Sequence, residues 1–155
     1  MIVTMPRLAR RRAVRALALA LSGAGLVAKT SVGFSATRAD EARDSQKRWF
    51  EAAVSMRRLA ESRGDQPYGA VLVADGEIIG EGPSRVVQTG DPTAHAEREA
   101  ISDAQRRLGR ADLSGSVLYS TSRPCRLCES AAAEAKVARM IHGAALIDAG
   151  QPSAR

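Results

Sequence analysis

Both cysteines of this chain lie in one short motif, in which Cys125 and Cys128 follow directly after Pro124. A histidine, His95, lies upstream of this pair. Two thiolates and one imidazole are ligands that suit Zn²⁺, and three protein ligands leave the fourth position open for a water molecule. An open position is typical of catalytic rather than structural zinc, so we predict that His95, Cys125 and Cys128 bind one zinc ion.

A carboxylate, Glu97, lies two residues after His95 and is not needed as a ligand. Zinc lowers the pKa of its water towards neutrality, and a neighbouring carboxylate can then carry the proton. We therefore predict that Glu97 is the catalytic proton shuttle. The combination of His-x-Glu with a later Pro-Cys-x-x-Cys indicates the hydrolytic deamination of a nucleobase.

Two other interpretations of the Cys-x-x-Cys spacing stay open. The pair alone is compatible with a redox centre or with half of a structural zinc site. However, no second pair of cysteines is present to close such a site, and His142 is the only other histidine. We predict that His142, at the end of an apolar segment, has a structural role.

The net positive charge of the chain comes from its N-terminal part. The 155 residues carry a net charge of +6 and are enough for one domain. Residues 1–40 contain seven basic side chains and one acidic one, whereas residues 41–155 contain 16 of each sign. We therefore predict a zinc-dependent domain over residues 41–155, without the basic surface that nucleic acid binding needs.

Residues 1–40 have the pattern of a targeting segment and linker. An arginine run at residues 10–12 precedes an apolar run at residues 16–28, which is too short to span a membrane and is typical of a signal peptide. The arginines favour a twin-arginine signal, with a cleavage site near residues 33–36. We expect export to the periplasm and no stable membrane association. The alternatives are an organellar transit peptide, a disordered tail, or a misassigned start with Met5 as another candidate; without an export signal the protein would be cytoplasmic.

The hydrophobic pattern predicts an α/β fold. The order α-β-β-α-β-α-β suggests a sheet with helices on both faces, and it allows the two helices that carry zinc ligands to begin at one sheet edge. We predict a linker at 29–42, helices at 43–63, 94–108 and 124–136, strands at 68–74, 77–80, 116–121 and 137–141, and a loop at 81–93.

Four segments resemble the cytidine deaminase-like superfamily: residues 70–73, 79–82 and 91–97, and the Pro-Cys-x-x-Cys motif. The resemblance covers residues 45–145 and is strongest to the branch of guanine deaminases, fungal-type cytosine deaminases and bacterial tRNA adenosine deaminases. It implies a three-layer α/β/α sandwich around a five-stranded mixed sheet, and a homodimer. It also implies that His95, Cys125 and Cys128 hold zinc, that Glu97 moves protons, and that the backbone N–H of Ala96 contacts the substrate.

Within that branch, the chain resembles the members that act on small bases. Tyr68 stands where those members have an aromatic residue, and residues 118–122 resemble guanine deaminases. Tyr68 is thus a candidate substrate contact, although the core is an equally good place for it. We predict a guanine- or cytosine-type base or nucleoside as the substrate, and adenosine in tRNA as the alternative. Residues 41–155 have too few aromatics for a stacking platform, namely Trp49, Phe50, Tyr68 and Tyr119.

Three departures from the family pattern bear on activity. Ser84 replaces an asparagine that reads the base, and a hydroxyl cannot offer the donor and acceptor of an amide at once; we keep Ser84 as a candidate substrate contact. Arg123 replaces a glutamate, and it either contacts a phosphate or carboxylate or points to solvent, which we favour. We also expect the chain to be short after Ala145, without the last helix and fifth strand of relatives. A weakened deaminase-fold remnant that binds zinc is therefore a further alternative.

Overall fold

The computed structural model of the chain describes residues 31–154. The arginine and apolar runs of the predicted export signal lie outside these residues. Within them, no helix combines the length and the apolar character needed to cross a membrane.

Five strands of the described chain form one mixed sheet in the order β2-β1-β3-β4-β5. Neighbouring strands are antiparallel except for β3 and β4, which are parallel. The elements are α1 (Ser31–Ser62), β1 (Gly69–Ala74), β2 (Glu77–Pro83), α2 (Val86–Thr89), α3 (Ala96–Leu108), β3 (Val117–Ser120), α4 (Arg126–Glu134), β4 (Arg139–His142) and β5 (Ile147–Gly150).

Helices cover both faces of this sheet. Alternate residues of a strand point to opposite faces, and the buried residues divide accordingly. Val71 and Tyr119 pack with Ala53 of α1, while Leu72 and Leu118 pack with α3 and α4. The predicted α/β/α sandwich with a five-stranded mixed sheet is therefore confirmed.

A glycine on β2 sets how closely α3 approaches the sheet. A Cβ atom built at Gly82 would overlap the backbone of Ala96 and Ala100. Only a residue without a side chain allows α3 to lie this close to β2. Gly82 thereby fixes the position of the first turn of α3, next to His95.

Three predictions about the elements are wrong. The linker proposed at residues 29–42 is helical from Ser31 onward, because neither glycine nor proline interrupts the chain between residues 34 and 63. The loop proposed at 81–93 contains the end of β2 and the short helix α2. A fifth strand is present, since Gly143 and Leu146 adopt positive φ and turn the chain back along β4.

Candidate active site

The candidate site lies at one end of the sheet, where three connecting segments meet. Gly69 opposes Pro83 in the β1–β2 pair, and Ala70 opposes Ser120 in the β1–β3 pair. The segment before β1, the segment after β2 and the segment after β3 therefore lie together. The segments after β2 and β3 lead into α3 and α4, and both helices begin at this end.

The predicted metal ligands occupy the N-termini of these two helices. His95 is the N-cap of α3, Cys125 is the N-cap of α4, and Cys128 lies in the first turn of α4. Neither N-cap is engaged in a side-chain capping hydrogen bond. The positive ends of both helix dipoles thus lie at the three predicted ligands.

The distances between the three donor atoms fit a tetrahedral zinc ion. The Nδ1 atom of His95 lies 3.5 Å from the Sγ atoms of both Cys125 and Cys128, and the two Sγ atoms are 3.6 Å apart. With Zn–S of about 2.3 Å and Zn–N of about 2.0 Å, tetrahedral coordination sets sulfurs about 3.8 Å apart and nitrogen about 3.5 Å from each sulfur. Among the described residues, this cluster of potential ligands is the one that could hold a metal ion.

Glu97 lies directly beside this cluster. Its carboxylate is buried, with 5% of the residue exposed, and its Oε2 atom accepts a hydrogen bond from the Cys128 thiol at 3.5 Å. Burial raises the pKa of Glu97, although its own backbone N–H, Cys128 and His95 oppose the effect. Burial and the Glu97 charge likewise raise the pKa of the Cys128 thiol. Two buried acids side by side are disfavoured as anions, and a divalent cation between the donors would offset that cost.

A cavity of about 350 Å³ opens in front of the cluster. His95, Glu97 and Cys125 line it, so the metal cluster and the shuttle face one space. Tyr68 also lines it and is 43% exposed, which makes this residue a cavity wall rather than a core residue. The remaining lining residues are Gln66, Ser122 and Arg123.

Two of these lining residues, Gln66 and Ser122, were missed by the sequence analysis. Gln66 lies in the turn before β1, and Ser122 follows β3. The only signal that could have found them is their closeness in sequence to Tyr68 and to the Pro-Cys-x-x-Cys motif. Arg123, predicted to point to solvent, is exposed but contributes to the cavity wall.

Ser84 does not take the position expected for a substrate contact. It is fully buried, and its hydroxyl donates a hydrogen bond to Oδ1 of Asp65 at 2.9 Å. Asp65 also accepts hydrogen bonds from the backbone N–H groups of Gln66, Val87 and Gln88 at 2.8–3.0 Å. A buried hydroxyl that is held by a buried carboxylate is a structural link, so Ser84 has no free donor for a base.

Other expectations from the sequence concern the surroundings of the site. The N–H of Ala96 belongs to the first turn of α3, where backbone donors lack partners within the helix. His142 lies on β4 and is not part of the metal cluster. Trp49 packs against Tyr119 with ring centroids 5.3 Å apart.

The sequence of residues 43–144 matches the zinc-binding region of cytidine and deoxycytidylate deaminases. The tRNA-specific adenosine deaminase of Buchnera aphidicola subsp. Baizongia pistaciae is 36% identical over 101 residues, which are 65% of this chain and 62% of the relative. The guanine deaminase of Bacillus subtilis is 41% identical over 85 residues, which are 55% of this chain and 54% of the relative. The chain thus spans less than two thirds of the length of either relative.

The fold agrees with these similarities. The solved structure of guanine deaminase from Bacillus subtilis superposes with a TM-score of 0.59 at 37% identity, over 62% of each chain. The chain belongs to the cytidine and deoxycytidylate deaminase zinc-binding family, a group within the cytidine deaminase-like superfamily. Its cofactor is zinc, and His95, Cys125 and Cys128 are placed to hold it.

Proposed function

We propose that the protein catalyses the hydrolytic deamination of a small nucleobase or nucleoside of the guanine or cytosine type. The observation that carries this proposal is the position of Glu97, which is buried beside the three zinc ligands and faces the same cavity. A cavity of about 350 Å³ is in the range of small-molecule sites.

The proposed chemistry gives one role to zinc and another to Glu97. Zinc, when bound, supplies a Lewis acid that makes water acidic enough to be deprotonated near neutral pH. Glu97 takes one proton from the water and passes it to the ring nitrogen; it then takes the second proton, from the hydroxyl group added to the ring carbon, and passes it to the amino group, which leaves as ammonia. The burial that raises its pKa suits this role, because a carboxylate that both accepts and donates protons works best with a pKa closer to neutrality.

Substrate binding would fall to Tyr68 and Gln66 of the cavity wall and to the backbone N–H of Ala96, between His95 and Glu97. Tyr68 offers an aromatic face for a base to stack on, and the N–H of Ala96, at the start of α3, is a donor for a carbonyl group. Gln66 offers an amide with both a donor and an acceptor.

Adenosine in tRNA is the second candidate substrate, because the Buchnera relative is a tRNA-specific adenosine deaminase. The charge of the domain argues against it. Residues 41–155 carry 16 basic and 16 acidic side chains, whereas a tRNA-binding surface has to neutralise several phosphates.

We further propose that the protein is a homodimer and that it is exported.

Ammonia release by the zinc-loaded full-length protein tests the proposal, with guanine, cytosine, adenine, their nucleosides and a tRNA transcript as substrates. Glu97→Gln should keep its zinc and lower turnover by about 10²- to 10⁴-fold. Glu99→Gln is the matched control, because Glu99 lies on the same helix but pairs with Arg85 at 3.5 Å. A fully active Glu97→Gln variant would overturn the mechanism. Bound zinc without turnover on any substrate would indicate a deaminase-fold remnant.

A further inference from the structure

Gln66 carries a side-chain amide that is open to the cavity. The residue is half-buried and lines the cavity wall, and within residues 31–154 no hydrogen bond involves its amide. The amide is not enclosed by protein either, because Arg57 Nε is the one buried side-chain nitrogen or oxygen of these residues without a hydrogen-bond partner. Both the donor and the acceptor of the Gln66 amide are therefore available to a ligand.

The backbone of Gln66 is fixed on both sides. Its N–H donates a hydrogen bond to Oδ1 of Asp65 at 2.8 Å, and its carbonyl accepts one from the N–H of Tyr68 at 2.7 Å. Asp65 is held in turn by the Ser84 hydroxyl and by backbone N–H groups of α2. The amide thus extends from a rigid support, which reduces the conformational entropy that is lost when a ligand binds.

The other lining residues offer no equivalent group. Three of them are assigned above to zinc binding and proton transfer. Of the rest, Arg123 has donors only, and Tyr68 and Ser122 each have a single hydroxyl. Among the described lining residues, a donor and an acceptor side by side on one planar group therefore occur only on Gln66.

We propose that Gln66 determines substrate specificity by binding a lactam edge, which is a ring carbonyl next to a ring N–H. This inference rests on the function proposed above. The NH₂ group of the amide donates to the ring carbonyl, and the amide oxygen accepts from the ring N–H, so that two parallel hydrogen bonds form.

The lactam edge distinguishes the candidate substrates. Guanine has this edge at C6 and N1, and cytosine has it at C2 and N1; in neither base does it include the amino group that is hydrolysed. The base of adenosine has no carbonyl and no ring N–H. The Gln66 amide would therefore select guanine or cytosine over adenosine, because an unmatched donor and acceptor in the site are left unpaired.

The test compares each base with an analogue that keeps the amino group but lacks the lactam edge. The analogue of guanine is 2-aminopurine, and that of cytosine is 4-aminopyrimidine. In the zinc-loaded full-length protein, Gln66→Leu should lower kcat/KM for the base that is turned over by about 10- to 100-fold, because two hydrogen bonds are lost. The value for its analogue should change by less than about threefold, because the analogue never forms those bonds. The two pairs show whether the bound lactam is that of guanine or of cytosine.

Two further variants separate hydrogen bonding from other effects. Gln66→Glu keeps the size of the side chain, but at pH 8 its carboxylate has acceptors only and cannot donate to the ring carbonyl; it should lose as much as Gln66→Leu. Gln88→Leu is the matched control, because the backbone N–H of Gln88 also donates to Asp65, at 2.9 Å, whereas its exposed side chain lies outside the cavity. This change should leave the values for base and analogue as they are.

Equilibrium dialysis gives a readout that needs no turnover. Each base and each analogue is dialysed against the Glu97→Gln protein, with and without Gln66→Leu. Gln66→Leu should weaken binding of the base by the same 10- to 100-fold or so and leave binding of the analogue nearly unchanged.

The outcomes separate this inference from the function on which it rests. Turnover with equal losses for base and analogue in Gln66→Leu, or with no loss for either, overturns the role of Gln66 and leaves the deaminase. Selective binding of one base without turnover by the wild-type protein supports the role of Gln66 and overturns the proposed catalysis. Neither turnover nor selective binding of a base overturns both.

Discussion

The hydroxyl of Ser84 donates a hydrogen bond of 2.9 Å to the Asp65 carboxylate, and both residues are buried. The bond joins the turn before β1 to the segment after β2, at the end of the sheet where the zinc ligands lie. Asp65 precedes Gln66, which lines the cavity. The Ser84–Asp65 pair therefore holds one wall of the candidate site in place, and neither residue lines the cavity.

Replacement of Ser84 by alanine should destabilise the fold. The change leaves a buried carboxylate oxygen with one hydrogen bond fewer, which costs about 1–3 kcal/mol in the free energy of unfolding. Urea denaturation measures this loss. The control is Ser114→Ala, because Ser114 donates to the exposed Asp112; this change should cost no more than about 0.5 kcal/mol. A Ser84→Ala variant of unchanged stability but raised KM would show instead that Ser84 contacts the substrate.

The buried Asp65 carboxylate should make the free energy of unfolding fall as the solution becomes acidic. Desolvation raises the pKa of Asp65, but hydrogen bonds from Gln88, Gln66, Ser84 and Val87 outweigh it and lower the pKa below its usual 3.8. A carboxyl group with a lowered pKa in the fold contributes its full stability above the pKa of the unfolded chain and loses it as the pH falls through the folded value.

The variant Asp65→Asn provides the comparison. The NH₂ group of asparagine cannot accept the hydrogen bonds that one of the carboxylate oxygens accepts. The substitution should therefore lower the free energy of unfolding by about 2–3 kcal/mol at neutral pH. The difference in unfolding free energy between wild type and Asp65→Asn should stay constant down to about pH 5 and narrow below about pH 4. A difference that is unchanged down to pH 2.5 would show that the carboxylate charge contributes nothing.

The metal cluster could be predicted from the sequence because its chemistry is local. Cys125 and Cys128 share one helical turn, and His95 and Glu97 lie two residues apart, so ligand type and spacing were enough to assign them. Most elements also followed from hydrophobic periodicity and turn residues. β5 did not, because its residues are mostly exposed and show no buried alternation.

The wall of the cavity could not be predicted because it depends on strand register. Gln66 and Arg123 are far apart in sequence, and they line the same cavity because Ala70 opposes Ser120 across β1 and β3. The burial of Ser84 likewise depends on a contact between residues that are distant in sequence. Its hydroxyl is engaged by Asp65, and no short motif contains both residues.

Replacement of Gly82 by alanine should affect both the fold and the metal site. The new methyl group would overlap the backbone of Ala96 and Ala100, and overpacking of this kind costs about 1–3 kcal/mol. Because α3 must move away from β2, His95 would move with it and zinc affinity should fall. Denaturation and a competitive zinc titration measure the two effects.

Gly109→Ala is the control for this substitution. Gly109 has a φ of +63° and open space around its Cβ position. Alanine at this position should lower the free energy of unfolding by about 1–2 kcal/mol, because its backbone would be strained, and it should leave zinc affinity unchanged. Equal zinc affinities in Gly82→Ala and wild type would show that the close contact between β2 and α3 does not position His95.

Removal of a single zinc ligand should abolish stoichiometric metal binding. Wild-type protein should contain one zinc per chain by elemental analysis, whereas His95→Ala and Cys128→Ser should contain almost none after dialysis, because two remaining ligands cannot complete the site. His142→Ala is the control, since His142 lies on β4 outside the cluster. Zinc retained by His95→Ala but lost by His142→Ala would contradict the assignment.

Treatment of wild-type protein with a chelator should also lower its melting temperature, because a metal that binds only the folded chain stabilises it.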